Sequence, residues 1–146
     1  MRKLVALLSA AAVCALAVTA VSLAASRGMG WSAKLTAAQE VPKQTVKNTA
    51  ATGAFHATLT GHKLRWTLTF SKLTGPATAA HIHLGAMGKS GNVVVPLCGP
   101  CKSPVSGTAT LTTALIKDAG KHLLYVNVHT AKNPGGEIRG QIVAPQ

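Results

Sequence analysis

Residues 53–70 read GAFHATLTGHKLRWTLTF. Phe55, Ala57 and Leu59 alternate with Ala54, His56, Thr58 and Thr60; beyond Gly61-His62, Leu64, Trp66, Leu68 and Phe70 alternate with Arg65, Thr67 and Thr69. On a strand, residues i and i+2 share a face, so each half offers one apolar side and one polar side. Two such runs about a glycine turn predict a β-hairpin with a single buried face.

The same two-residue beat recurs on either side of this hairpin. SGTATLTT (106–113) repeats the alternation, and LLYVNVHT (123–130) sets Leu124, Val126 and Val128 against Tyr125, Asn127 and His129. Asn133-Pro134-Gly135-Gly136 reads as a turn, with proline fixing φ at its second position and glycine tolerating positive φ at its third. EIRGQIV (137–143) is then the returning strand, while TTALIKDAGKH (112–122) alone suits a short helical crossover. About eight short strands at regular spacing predict an all-β, antiparallel sandwich or flattened barrel.

The N-terminus does not fit that pattern. Arg2 and Lys3 precede an uncharged stretch from Leu4 to Ala25, and Ser22-Leu23-Ala24 places small residues before Ala25. This is the form of a secretory signal peptide, residues 1–24, leaving a domain of residues 25–146 and implying a secreted or envelope location. Uncleaved, the stretch is long enough to act as a membrane anchor, the only membrane contact expected. Fifteen Lys and Arg stand against three acids in the whole chain; without Arg2 and Lys3, 13 remain, a net charge of about +10. The cations are scattered, without the basic stripe and interleaved aromatics of a nucleic-acid site. They suit an extracellular or envelope ligand of unidentified type, an anionic one included.

Cys98 and Cys101 in CGPC have the spacing of thiol-redox centres. Lys102, Ser103 and Pro104 follow, however, and read as loop, whereas an acidic thiolate needs a helix N-terminus. In an exported protein the pair is expected to close a small structural disulfide.

The stretch AAHIHLGAMGKSGNVVVPL (79–97) carries the chemistry. His81 and His83 should project together while Ile82 and Leu84 take the core. By the same parity His129 faces outward beside Asn127 and Tyr125. If the two strands meet, three imidazoles can converge on one copper or zinc ion, with His56 a candidate fourth ligand. Hydrogen-bonded surface histidines without a metal are the alternative. Glu137 and Arg139, two residues apart, suggest an exposed ion pair of little energetic weight. No paired carboxylates, Ser-His-Asp set or phosphate-cradling glycine loop can be found, so a non-enzymatic role is expected.

AQEVP (38–42), the histidine stretch and YVNVHTAKNPGGEIRGQI (125–142) together resemble the CHRD domain, which takes its name from chordin and also occurs singly in exported microbial proteins. The resemblance spans about Trp31 to Val143, with Glu40, Asn127, Gly135, Gly136, Glu137 and Arg139 as motif positions. It implies an immunoglobulin-like antiparallel sandwich acting as a binding or structural module, and no agreed activity. Chordin's growth-factor partnership does not carry over, because its cysteine-rich modules are absent from this sequence. A weaker similarity is to Cu,Zn superoxide dismutases, whose paired copper ligands His81 and His83 would match, with His129 a later one. That family's zinc loop and bridging histidine have no counterpart here, so dismutase activity is not implied.

Overall fold

The computed structural model describes residues 28–145; the signal segment expected at 1–24 lies outside them. Eight strands form one antiparallel sheet: β1 (Met29–Thr36), β2 (Thr52–Thr60), β3 (Lys63–Ser71), β4 (Ala77–Leu84), β5 (Val93–Cys98), β6 (Val105–Thr110), β7 (Leu124–Thr130) and β8 (Ile138–Gln141). Their spatial order is β5-β4-β7-β8-β1-β2-β3-β6. The edge strands β5 and β6 approach each other, so the sheet curls into a nearly closed, flattened barrel. Such closure leaves little strand edge free to pair with another chain. Among the described residues, no helix is long and apolar enough to cross a membrane.

The opening hairpin is formed as its alternation predicts. β2 pairs with β3 from Thr60↔Lys63 to Thr52↔Ser71, around a turn whose Gly61 has φ 58°. Phe55, Leu59, Leu64 and Leu68 are buried, and His56, Arg65, Thr67 and Thr69 are exposed. Strand β1 supplies Trp31, Ala33 and Leu35 to the same interior, and β4, β7 and β8 supply Ile82, Val126, Val128 and Ile138. Helix α1 (Thr113–Gly120) links β6 to β7, as the short crossover anticipated. Its first turn is capped by the Thr112 hydroxyl, which accepts a hydrogen bond from Leu115 N at 3.2 Å.

Cys98 and Cys101 are joined by a disulfide at the end of β5. Cys98 pairs with Ala80, and Cys101 bridges to Ala77, so the staple secures this turn against β4. A turn and then β6 follow rather than a helix, which removes the setting a redox thiolate requires.

Three local expectations need correction. In the 133–136 turn the positive φ, 136°, belongs to Gly136 and not Gly135. Leu84, expected in the core, is 39% exposed, because β4 ends there and the chain leaves the barrel. Glu137 and Arg139 are no surface ion pair: both are buried, for reasons set by the second face of β4, β7 and β8.

Candidate metal centre

That second face is not a wet surface. Across the β4–β7 ladder, Ala79 lies opposite His129, His81 opposite Asn127 and His83 opposite Tyr125. Across β7–β8, Asn127 lies opposite Arg139 and Tyr125 opposite Gln141. Directly paired residues point the same way, so these side chains form one polar layer behind the apolar core. The 3-10 turn Ala37–Gln39, Glu40 and the loop after β4 roof it. Gln141 Nε2 donates to the carbonyls of Gly85 and His122 (2.9 and 2.7 Å), and Arg139 Nη2 to that of Ala86 (3.0 Å). His83 and Asn127 are therefore buried, and His81 and His129 are only partly exposed.

His81, His83 and His129 converge as the strand parity requires, offering three nitrogens that all lie within 4.8 Å of one another. Hydrogen bonds settle which nitrogens are free. His83 Nδ1 lies 3.0 Å from the Gly91 carbonyl and His129 Nδ1 3.0 Å from the Pro134 carbonyl. A carbonyl can only accept, so both rings carry their proton on Nδ1 and direct an unprotonated Nε2 into the site. His83 Nε2 is buried and has no partner. His81 Nδ1 stands 3.3 Å from His129 Nε2, and since that nitrogen is unprotonated, His81 donates to it. A tautomeric shift that places the His81 proton on its other nitrogen frees the third lone pair.

The spacing suits a small cation. Nitrogens bound at 2.0–2.1 Å to one ion sit roughly 3.3–3.6 Å apart. His81 Nδ1 and His129 Nε2, 3.3 Å apart, already meet that separation, and the trio as a whole, within 4.8 Å, needs to close by no more than about 1–1.5 Å. Burial lowers the pKa of all three rings. In His129 it brings the value down to about 4, against the opposing hydrogen bond to Pro134. In His83 burial outweighs the bond to Gly91, and in His81 burial acts alone. The rings are thus neutral at ordinary pH, the state a metal requires.

His56 does not join them. It sits exposed on β2, opposite Ser32 and Thr67, with β8 and β1 between its strand and β7. Three strand spacings amount to roughly 14 Å, beyond any shared ion. The anticipated fourth ligand is therefore withdrawn.

Around the trio lie groups that sequence reading did not connect with it. Tyr125 stacks on His83 with centroids 4.8 Å apart and planes 9° apart, and the Arg139 guanidinium carbon lies 3.5 Å over the other ring's centroid, that of Tyr125. The Tyr125 hydroxyl accepts from Gly91 N at 3.1 Å, tying the loop to the stack. The carbonyls that hold the ring protons are backbone groups, to which residue identity gives no clue.

The motif positions sort into this layer. Asn127 Nδ2 donates to Glu40 Oε2 at 3.1 Å. Burial pushes the Glu40 carboxyl up to about 7, although Asn127, Arg139 and Lys43 oppose the rise. A Cβ at Gly136 would lie 2.5 Å from Glu40 Oε2 and 2.6 Å from Asn127 Nδ2, so a side chain there would break the contact. Glu137 accepts from Asn48 Nδ2 (2.8 Å), Thr74 N and Oγ1 (each 2.6 Å) and Thr130 Oγ1 (2.6 Å). Burial works to raise its pKa, but these donors hold the carboxyl below its usual value. Gly135 contacts nothing that a Cβ would meet.

Among families, the CHRD domain matches residues 31–142, nearly the whole of the described fold. No curated protein matches the chain, and no solved structure does. With the motif residues placed in one fold over that span, the chain belongs to the CHRD domain family.

Proposed function

We propose that this domain is a non-enzymatic, mononuclear metal-binding module in which His81, His83 and His129 hold one copper or zinc ion. The observation that carries the reading is the pair of ring-to-carbonyl bonds, His83 to Gly91 and His129 to Pro134, which hold both protons on Nδ1 and leave two unprotonated Nε2 atoms within the convergent trio. A structural histidine pair would normally satisfy its second nitrogen as well; His83 Nε2, buried and unpartnered, instead has a lone pair waiting for an acceptor of electrons. Neutral imidazole suits both copper and zinc. The leader-like sequence at 1–24 supports a secreted or envelope setting for that role. No feature of the site supplies a paired general acid and base, which favours binding over turnover.

Elemental analysis of protein purified without added metal, followed by titration with Cu(II) and Zn(II), tests the reading. One equivalent should bind, and His81→Ala, His83→Ala and His129→Ala should each abolish or severely weaken uptake, whereas His56→Ala should not. Folded single variants that take up metal as the wild type does would end the proposal.

A further inference from the structure

We infer that the trio is built for monovalent copper, and that Arg139 biases the bound ion toward Cu(I). This rests on the metal reading above and adds the charge and coordination number of the ion. Among the described residues, the group able to hold an ion contains three imidazoles and no carboxylate or thiolate. Neutral donors leave the ion's full charge uncompensated. Zn(II) in protein sites is usually four-coordinate, and Cu(II) prefers a square-planar or tetragonal set. A Cu(I) ion is satisfied by three donors and places only one charge in the polar layer.

That layer already holds a cation. Arg139 is 1% exposed, is fixed by the Ala86 carbonyl and Gln141 Oε1, and lies 3.5 Å over Tyr125, which stacks on His83. The stack sets the guanidinium roughly 10 Å from an ion on His83 Nε2, where an effective dielectric of about 20 gives repulsion equivalent to about tenfold in affinity per unit of ionic charge. Glu40 is the carboxyl whose charge acts on this arginine. Burial leaves it substantially protonated near neutrality, so it offsets only part of the guanidinium charge. Each further positive charge on the ion therefore lowers its affinity.

The test measures Cu(I) affinity anaerobically against a chromophoric Cu(I) chelator, with ascorbate as reductant so that the disulfide survives, alongside Cu(II) and Zn(II) competitions. The wild type should bind Cu(I) more tightly than either divalent ion. Arg139→Met should lower the Cu(I)-to-Cu(II) affinity ratio about tenfold, equal to about 59 mV for a one-electron couple. Arg139→Lys, which keeps the charge, should restore most of the ratio. Tighter binding of Cu(II) or Zn(II) by the wild type, or an unchanged ratio in folded Arg139→Met, would overturn the inference while leaving the three-histidine site intact. Should Arg139→Met fail to fold by circular dichroism, the wild-type ratio and Arg139→Lys still decide it. Absence of binding by any of the three ions refutes the metal reading itself.

Discussion

Gly91→Ala separates the positioning of a ligand from ligation. Gly91 touches no proposed ion, yet its carbonyl holds the His83 proton and its N–H reaches the Tyr125 hydroxyl. A Cβ at this position would overlap the Leu84 carbonyl group and come within 3.3 Å of Gly85 Cα. Both obstacles are backbone, and both are anchored: Leu84 N donates to Asn92 O at 2.9 Å and Gly85 N to Leu123 O at 2.7 Å. A Cβ 1.6 Å from the Leu84 oxygen must clear it, so relief must come from residue 91, which has to retreat by well over 1 Å and lose its bond to His83. Overpacking of this kind costs about 1–3 kcal/mol of stability. The larger effect falls on the site, because loss of the group orienting a metal-bound histidine weakens affinity about 10- to 100-fold. Urea denaturation gives the stability change, chelator competition the affinity, and nitrogen-15 spectra of the imidazoles the His83 tautomer. Gly30→Ala, where a Cβ meets nothing within 4 Å, is the control and should alter none of the three. A folded Gly91→Ala protein that binds metal within twofold of wild type would refute the claim that this carbonyl preorganises the site.

Glu137→Gln should lower the urea midpoint by the equivalent of about 2–3 kcal/mol at unchanged m, since it weakens several charge-assisted bonds to Asn48, Thr74 and Thr130; a shift under 0.5 kcal/mol would contradict the role given to it. Replacing Cys98 and Cys101 by serine should cost about 2 kcal/mol for so short a loop while leaving metal affinity within a few-fold, and loss of binding would show that the staple shapes the site as well. In metal-free protein His129 and Glu40 oppose each other: the unfolded state takes up the histidine proton between pH 6.5 and about 4, lowering stability as pH falls, whereas the folded state holds the Glu40 proton up to about pH 7, raising it. His81 and His83, also lowered by burial, add to the histidine side; relative to the wild type between pH 6.5 and 4.5, Glu40→Gln should lose about 1–2 kcal/mol more on acidification, and His129→Gln should lose about 1–2 kcal/mol less after allowing for solvent at the ring; parallel slopes in all three proteins would refute this pairing.

The hairpin at 53–70 was legible because one of its faces is apolar and the other meets water, so alternation alone gives register and burial. In β4 and β7 the same alternation assigned sides correctly: Ile82, Val126 and Val128 go inward to the core, and His81, His83 and His129 share the reverse face. It could not show that the reverse face is roofed. The cover comes from Glu40 and the loop after β4, at least 45 residues apart in sequence, and a polar interior composed of His, Asn, Arg, Gln and Glu has the composition of a surface. Hence His83 is 8% exposed where an exposed ring was expected, and Arg139 is packed on Tyr125 where an ion pair with Glu137 was expected. The misplaced fourth ligand has a different cause. His56 has the right parity, but parity within a strand carries no information about strand order, and β8 and β1 intervene.

The burial of the motif residues bears on what the family resemblance means. Had Glu40, Asn127, Glu137 and Arg139 been exposed, they would have marked a surface for a partner. Each is at most 2% exposed and serves the chain's own interior. Glu40 and Asn127 close on Gly136, Glu137 gathers Asn48, Thr74 and Thr130, and Arg139 stacks on Tyr125. Burying so many polar groups is costly unless each is held, and a half-satisfied layer is less stable than an apolar one. Yet Glu40 Oε1, Asn127 Oδ1, Arg139 Nη1 and His83 Nε2 all lack partners among the described residues. A fold that needed only cohesion would be better served by leucines at these positions. On the metal reading proposed above, the layer is the rigid polar bed beneath three convergent imidazoles, and an ion would partner the orphan on His83.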